Sequence, residues 1–159
     1  MEAIASSPQG EQDDKVLYRL ELDSAPTIGY ASIQNAVPVL RTIRLTNNSD
    51  EELTEVALLV RCDPAFAVGT TLRFQKLAPS ETRSLGPIDL QPDHSLLADL
   101  QEGITASVSL TLVQGDRELA REAKAIEVLA YDQWAGTRAL PELLAAFSMP
   151  NNPAVDVLV

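Results

Sequence analysis

A single cysteine, a single histidine and a single tryptophan in 159 residues leave this chain little catalytic hardware. Cys62 alone can form no intrachain disulfide and no multi-cysteine zinc site. A thiolate at Cys62 would need His94 as its base, and His94 stands far along the chain in the turn-like stretch QPDHS, so a hydrolase built on Cys62 or His94 is the weakest reading. Basic residues are scarce as well: 12 Lys and Arg against 23 Asp and Glu give a net charge of −11. Phosphate backbones are repelled on average, and the pairs Arg41 with Arg44 and Arg117 with Arg121 fall short of the clustered stripe of a nucleic-acid binder. No direct nucleic-acid binding is expected. Gly69, Gly86, Gly103 and Gly115 are isolated in turn contexts, which excludes a glycine-rich phosphate loop. The N-terminal stretch MEAIASSPQGEQDDK has no basic region followed by an apolar core, and no run reaches the roughly eighteen apolar residues of a membrane span. A cytoplasmic protein without membrane partner, metal or cofactor is expected.

What the chain does contain is period-two alternation. Residues 1–15, rich in Ser, Gln, Gly and acids, read as a disordered lead-in. From Val16, the residues Val16, Tyr18, Leu20 and Leu22 fall on one face, with Arg19 and Glu21 on the other. Ile28 and Tyr30 repeat the pattern weakly. In Val39 to Thr46, Ile43 and Leu45 point inward, and NNSDEE closes the strand. Leu53 to Cys62 aligns Val56, Leu58, Val60 and Cys62; Pro64 ends that run. Leu72 and Phe74 mark a short strand, LAPSET a turn, and Ser84 to Leu90 an irregular edge strand. Ile104, Ala106, Val108, Leu110 and Leu112 then alternate strictly with Ser and Thr, which no helix would produce. Those hydroxyls are outward strand residues rather than nucleophiles. Gln114-Gly115-Asp116 turns into Glu118 to Ala130, where ELAREAKA has helix propensity but the hairpin context wins, with Ile126 and Val128 inward.

Seven or eight short strands separated by Pro, Gly, Asn and Asp predict an all-β fold over 16–130, an antiparallel immunoglobulin- or fibronectin-like β-sandwich. A jelly roll or small barrel is the other possibility. The acids Asp13, Asp14, Asp50, Glu51 and Glu52 lack the spacing of a calcium loop and read as a solvated edge.

Residues 131–159 differ from the rest. YDQWAGTR reads as a connector, LPELLAAF as a short helix with Pro141 in its first turn, and NNPAVDVLV as an extended tail. Tyr131, Trp134, Leu140, Leu143, Leu144, Phe147 and Met149 concentrate apolar and aromatic surface in a chain that is 4% aromatic, which marks a candidate interdomain surface. The apolar VDVLV stretch reads as the start of a further element, so a fragment of a longer protein is expected.

VLAYDQWAG and LPELLAAFSMPNNPAV, with LTNNSDEELTEVALLVRCDPAF and LAPSET upstream, resemble the N-terminal region of large bacterial superfamily-one helicase-like proteins that carry a domain of unknown function. The resemblance implies a β-sandwich first, then a transglutaminase-like domain, helicase motor domains and a nuclease-like region. No motor or transglutaminase motif falls within these residues, so no catalytic role is carried over. The implied role is a non-catalytic scaffold or protein-interaction module whose partners are downstream domains of the same polypeptide. An independent peptide- or protein-binding sandwich using an exposed edge strand is the alternative.

Overall fold

The computed structural model describes residues 16–130 and Gln133. They form strands β1 (Tyr18–Ser24), β2 (Thr27–Ile28), β3 (Leu40–Asn47), β4 (Leu53–Asp63), β5 (Thr70–Leu77), β6 (Thr82–Leu85), β7 (Ile104–Gln114) and β8 (Arg117–Val128). Helix α1 (Tyr30–Gln34) lies between β2 and β3, and α2 (His94–Asp99) between β6 and β7. The fold is β-rich with two sheets, a three-stranded one ordered β1-β3-β6 and a five-stranded one ordered β2-β8-β7-β4-β5. Every pairing is antiparallel except β2 with β8, which run parallel, a departure from the wholly antiparallel expectation. The lead-in 1–15 and the connector and short helix expected in 131–159 lie, Gln133 apart, outside the described residues. No helix among the described residues is long and apolar enough to cross a membrane.

Alternation builds the core. Leu20, Ile43 and Leu45 from the smaller sheet meet Val56, Leu58, Val60, Val108, Leu110, Leu112, Ile126 and Val128 from the larger one in a single apolar cluster. Each such side chain removed from water contributes about 1.5–3 kcal/mol, so this cluster is the main source of stability. In β4 the apolar residues step by three from Leu53 to Val56, which a regular strand would place on opposite faces. The ladder is interrupted there without a change of register: Thr54 pairs with Lys76 and Val56 with Phe74, while Glu55, opposite Gln75, drops out of the pairing and takes a positive φ of 52°. Both Leu53 and Val56 are thereby buried.

The sequence reading needs correction at several places. Val16, expected on the inner face with Tyr18, is 64% exposed, because the ladder with β3 begins at the Tyr18–Asn47 pair. Tyr30 does not continue a strand; it opens α1, where the Ser32 hydroxyl accepts the Gly29 N–H at 3.2 Å and offers the backbone a local alternative to pairing. The stretch QPDHS is no simple turn. Asp93 caps α2 by accepting the Ser95 and Leu96 N–H groups, and Leu97 of that helix is buried in the core. The strand expected over Ser84 to Leu90 is β6, which ends before Gly86-Pro87; the chain then touches β3 again at a single Leu40–Ile88 bridge. β5 is longer than its two apolar markers, Leu72 and Phe74, suggested.

Two turns distant in sequence are fastened by one buried side chain. Asn47 is fully buried, and its amide donates to the carbonyls of Glu51 (2.8 Å), Leu77 (3.3 Å) and Ala78 (3.1 Å). Its Oδ1 accepts the Ser49 N–H at 3.0 Å and the Ser49 hydroxyl at 2.6 Å. NNSDEE and LAPSET, loops by composition, therefore form one polar knot with every lone pair and proton of Asn47 engaged.

Candidate functional site

The described fold ends in a fastened exit. As β8 runs out, the Glu127 N–H donates to Pro26 at 3.0 Å and the Leu129 N–H to Ile28 at 2.7 Å. Ala130, buried, donates its N–H to Gln133 Oε1, and the Gln133 N–H returns a bond to the Ala130 carbonyl, both at 3.1 Å. Gly103 permits this closure: a Cβ there would stand 2.9 Å from Gln133 Oε1. The residues that the sequence marks as an interdomain surface, Tyr131, Trp134, Leu140, Leu143, Leu144, Phe147 and Met149, lie outside the described residues.

Cys62 and His94 have separate surroundings. Cys62 sits on β4 opposite Val108, half-buried against the core, and burial pushes its thiol up to about 11. Such a thiol is protonated at neutral pH and a poor nucleophile. His94 is exposed at the start of α2 and sets its ring edge-on to Tyr30, 6.4 Å between centroids. Among the described residues no group of three or more His, Cys, Asp and Glu is placed to hold a metal. Asp50, Glu51 and Glu52 are exposed, and Glu52 lies 3.8 Å from Lys76. Of the arginine pairs, Arg44 is bridged to Glu21 at 3.2 Å and Arg121 to Glu118 at 2.7 Å.

Two surface features come from the sheets themselves. The outer face of the larger sheet carries a shallow concavity of about 860 Å³ with Ala57, Leu59 and Val113 beneath a rim that includes Glu55, Arg73 and Gln114. A groove of about 600 Å³ lies between β1 and β8, lined among others by Val16, Leu22, Leu119 and Glu122. Above it the outer edge of β8 is paired, with β2, only at Glu127 and Val128, while β1 packs alongside. The opposite edge of the larger sheet, β5, exposes Arg73 and Lys76, charges of the kind that deter strand addition.

The sequence reading missed the β8 edge. Parity could have found it: Glu122 and Lys124 share the face of Ile126 and Val128, and charges at core-side positions mark a strand that is not sealed on both sides. No family model matches the chain, and no curated protein matches it.

Proposed function

We propose that the domain is an immunoglobulin-like β-sandwich acting as a non-catalytic scaffold or interaction module at the N-terminus of a larger cytoplasmic, helicase-like bacterial protein. The strand order supports the sandwich type. One sheet holds β1, β3 and β6, the other β8, β7, β4 and β5, an arrangement that corresponds to the A, B, E and G, F, C, C′ sets of such domains. The opening strand is divided between the sheets as β1 and β2.

The observation that carries the functional reading is the exit at Leu129–Gln133. A chain bonded to β2 and closed on itself there gives whatever follows a rigid root rather than a free linker. The apolar residues of 131–149 then supply the surface that a following domain covers. The test is to express the coding sequence beyond Val159 separately and titrate it into the 159-residue chain, following the emission of Trp134. Saturable binding with a blue shift is expected; no binding and unchanged emission would remove the reading.

A second reading, a module that takes a partner strand along an exposed edge, is favoured by the stretch of β8 that among the described residues no strand pairs with on its outer side.

A further inference from the structure

The exit from β8 sends the chain toward one face of the domain. The Gln133 N–H donates to the Ala130 carbonyl at 3.1 Å, a bond of the kind that closes a reversing turn, so a chain leaving along β8 is directed back over the larger sheet. Gly103 fixes the side. Ile104 packs on the core, so by alternation the missing side chain of Gly103 points away from it; a Cβ there would meet Gln133 Oε1 at 2.9 Å and Glu127 Oε1 at 3.5 Å. Glu127 is exposed and pairs with the exposed Thr105, both outside the core. Gln133 therefore stands on the outer face. Along that face Ser107, Ser109 and Thr111 form an uncharged lane between Ala123 and Ala125 on β8 and Leu59 on β4. The lane opens at its far end into the concavity of about 860 Å³ floored by Ala57, Leu59 and Val113. An outward strand face is ordinarily polar, and Leu59 and Val113 depart from that rule.

The sequence beyond Gln133 supplies a segment that fits this lane. Leu140, Leu143, Leu144 and Phe147 follow the i, i+3, i+4, i+7 spacing of one helix face, and Glu142 falls on the opposite side. We propose that residues 134–147 fold back over the outer face of the larger sheet and seat these four side chains on Leu59, Val113 and Ala57. The lengths agree. Seven steps of extended chain from Gln133 to Leu140 reach about 24 Å, which carries Leu140 past Ser109 to the level of Thr111. A helix from Leu140 to Phe147 adds about 10 Å and ends beside Val113. Thr111 lies opposite Leu59 and Val113 opposite Ala57, so the apolar stripe meets the apolar floor. Charge agrees too: in a chain of net charge −11 the lane presents no carboxylate for the leucines to desolvate. The inference rests on the rooted exit proposed above and divides its apolar surface, the four helical residues turning to the sheet and Trp134 and Met149 remaining for a following domain.

The experiment is limited proteolysis of the full 159-residue chain with chymotrypsin, following the cut after Phe147 by mass. In wild type the cut is slow, and its rate does not depend on protein concentration. Leu59→Asp on the sheet and Leu144→Asp on the segment each accelerate it about tenfold or more, because either carboxylate is buried unpaired in the contact. Ser84→Asp, on the exposed face of the smaller sheet, leaves the rate unchanged, and circular dichroism checks the fold of each variant. A nitroxide on Ala145→Cys in a Cys62→Ser background gives a second readout: it broadens the amide signals of Leu59, Thr111 and Val113 and spares those of Arg19 and Arg44 in the smaller sheet. Rapid cutting in wild type, or broadening spread evenly over both sheets, overturns the docking. So does a slow cut that Leu144→Asp accelerates and Leu59→Asp does not, which puts the segment on another surface, or protection that grows with concentration, which assigns the cover to a second copy. The scaffold reading fails on a different measurement, the absence of binding between the 159-residue chain and the sequence that follows Val159.

Discussion

The side-chain amide of Asn47 donates to the Leu77 carbonyl at 3.3 Å, joining the end of β3 to the end of β5 across thirty residues of chain. Asn47→Ala would orphan the Leu77 carbonyl, which is buried at that contact, together with the part-buried Ala78 and Glu51 carbonyls and the Ser49 N–H. Each buried group left unpaired costs about 1–3 kcal/mol, so a loss on the order of 3–5 kcal/mol is expected in urea unfolding. Ser49→Ala should cost about 1 kcal/mol, and the double variant should fall short of the sum because both belong to one network. Additive losses would show that the two side chains act independently.

Charges on opposite faces of β7 should behave oppositely. Val108 is fully buried, and Val108→Asp places a carboxylate in the core at a cost of several kcal/mol, on the order of the values for unpaired buried charge. Ser109, on the outer face, tolerates Ser109→Asp within about 0.5 kcal/mol. Thermal melts of the two variants make the comparison; equal shifts would contradict the two-faced strand.

That two-faced strand was also the most legible part of the sequence. Strict alternation from Ile104 to Leu112 fixed the inner face of β7, and Gly115, at φ 57°, supplies the hairpin turn that its composition announced. Less legible was everything that depends on partners far along the chain. β2 has two residues, too few to show a period, and its parallel pairing is set by where β8 ends. The break at Glu55 left a trace in the three-residue step from Leu53 to Val56, but the step alone does not say which residue leaves the ladder. Asn47 read as a turn residue because composition cannot distinguish a solvated asparagine from a buried one with all its partners. For the candidate site, Glu122 and Lys124 were readable by parity, while the surface marked at Tyr131 to Met149 lies outside the described residues.

Acid should weaken the β5–β6 turn through Glu81. Its carboxylate accepts the Ala78 N–H at 2.7 Å and the Arg83 guanidinium at 2.6 Å and 2.9 Å. These bonds, the Ala78 one foremost, hold the carboxyl below the ordinary glutamate value. A lowered folded value means that the stabilisation is full above the ordinary value and is lost as pH falls through the lowered one. Glu81→Gln should therefore show a smaller drop in melting temperature than wild type between about pH 7 and about pH 3. Parallel pH profiles would mean that Glu81 carries no differential interaction.

Cys62 should label slowly. With its thiol raised by burial from 9.0 to about 11, the thiolate fraction near pH 8 is ~100-fold below that of the unfolded chain. Unfolding in urea should accelerate reaction with a thiol reagent accordingly. The same shift favours the folded state at neutral pH and is lost as pH rises above the unfolded value, so alkali destabilises. Equal labelling rates in folded and unfolded chain would show that the thiolate forms as readily in place.

Two hydroxyls at the crossing from β1 to β2, Ser24 Oγ and Thr27 Oγ1, are buried without a hydrogen-bond partner among the described residues. Thr27→Val keeps the branched shape and removes the unpaired group, so stability should stay level or rise by about 1 kcal/mol. Ser32→Ala, which deletes the acceptor of the Gly29 N–H, should lower it by a similar amount. A destabilised Thr27→Val protein would point to a bound water as the missing partner.

The parallel run of β2 beside β8 also decides how the domain bears mechanical load. Tension applied through Val16 and Gln133 pulls the start of the β1–β2 segment one way and the end of β8 the other, along the strand axis. The bonds from Glu127 to Pro26 and from Leu129 to Ile28 lie across that pull and are loaded side by side, so they must yield together rather than unzip in turn. A tether attached at these two points meets a clasp before it reaches the core.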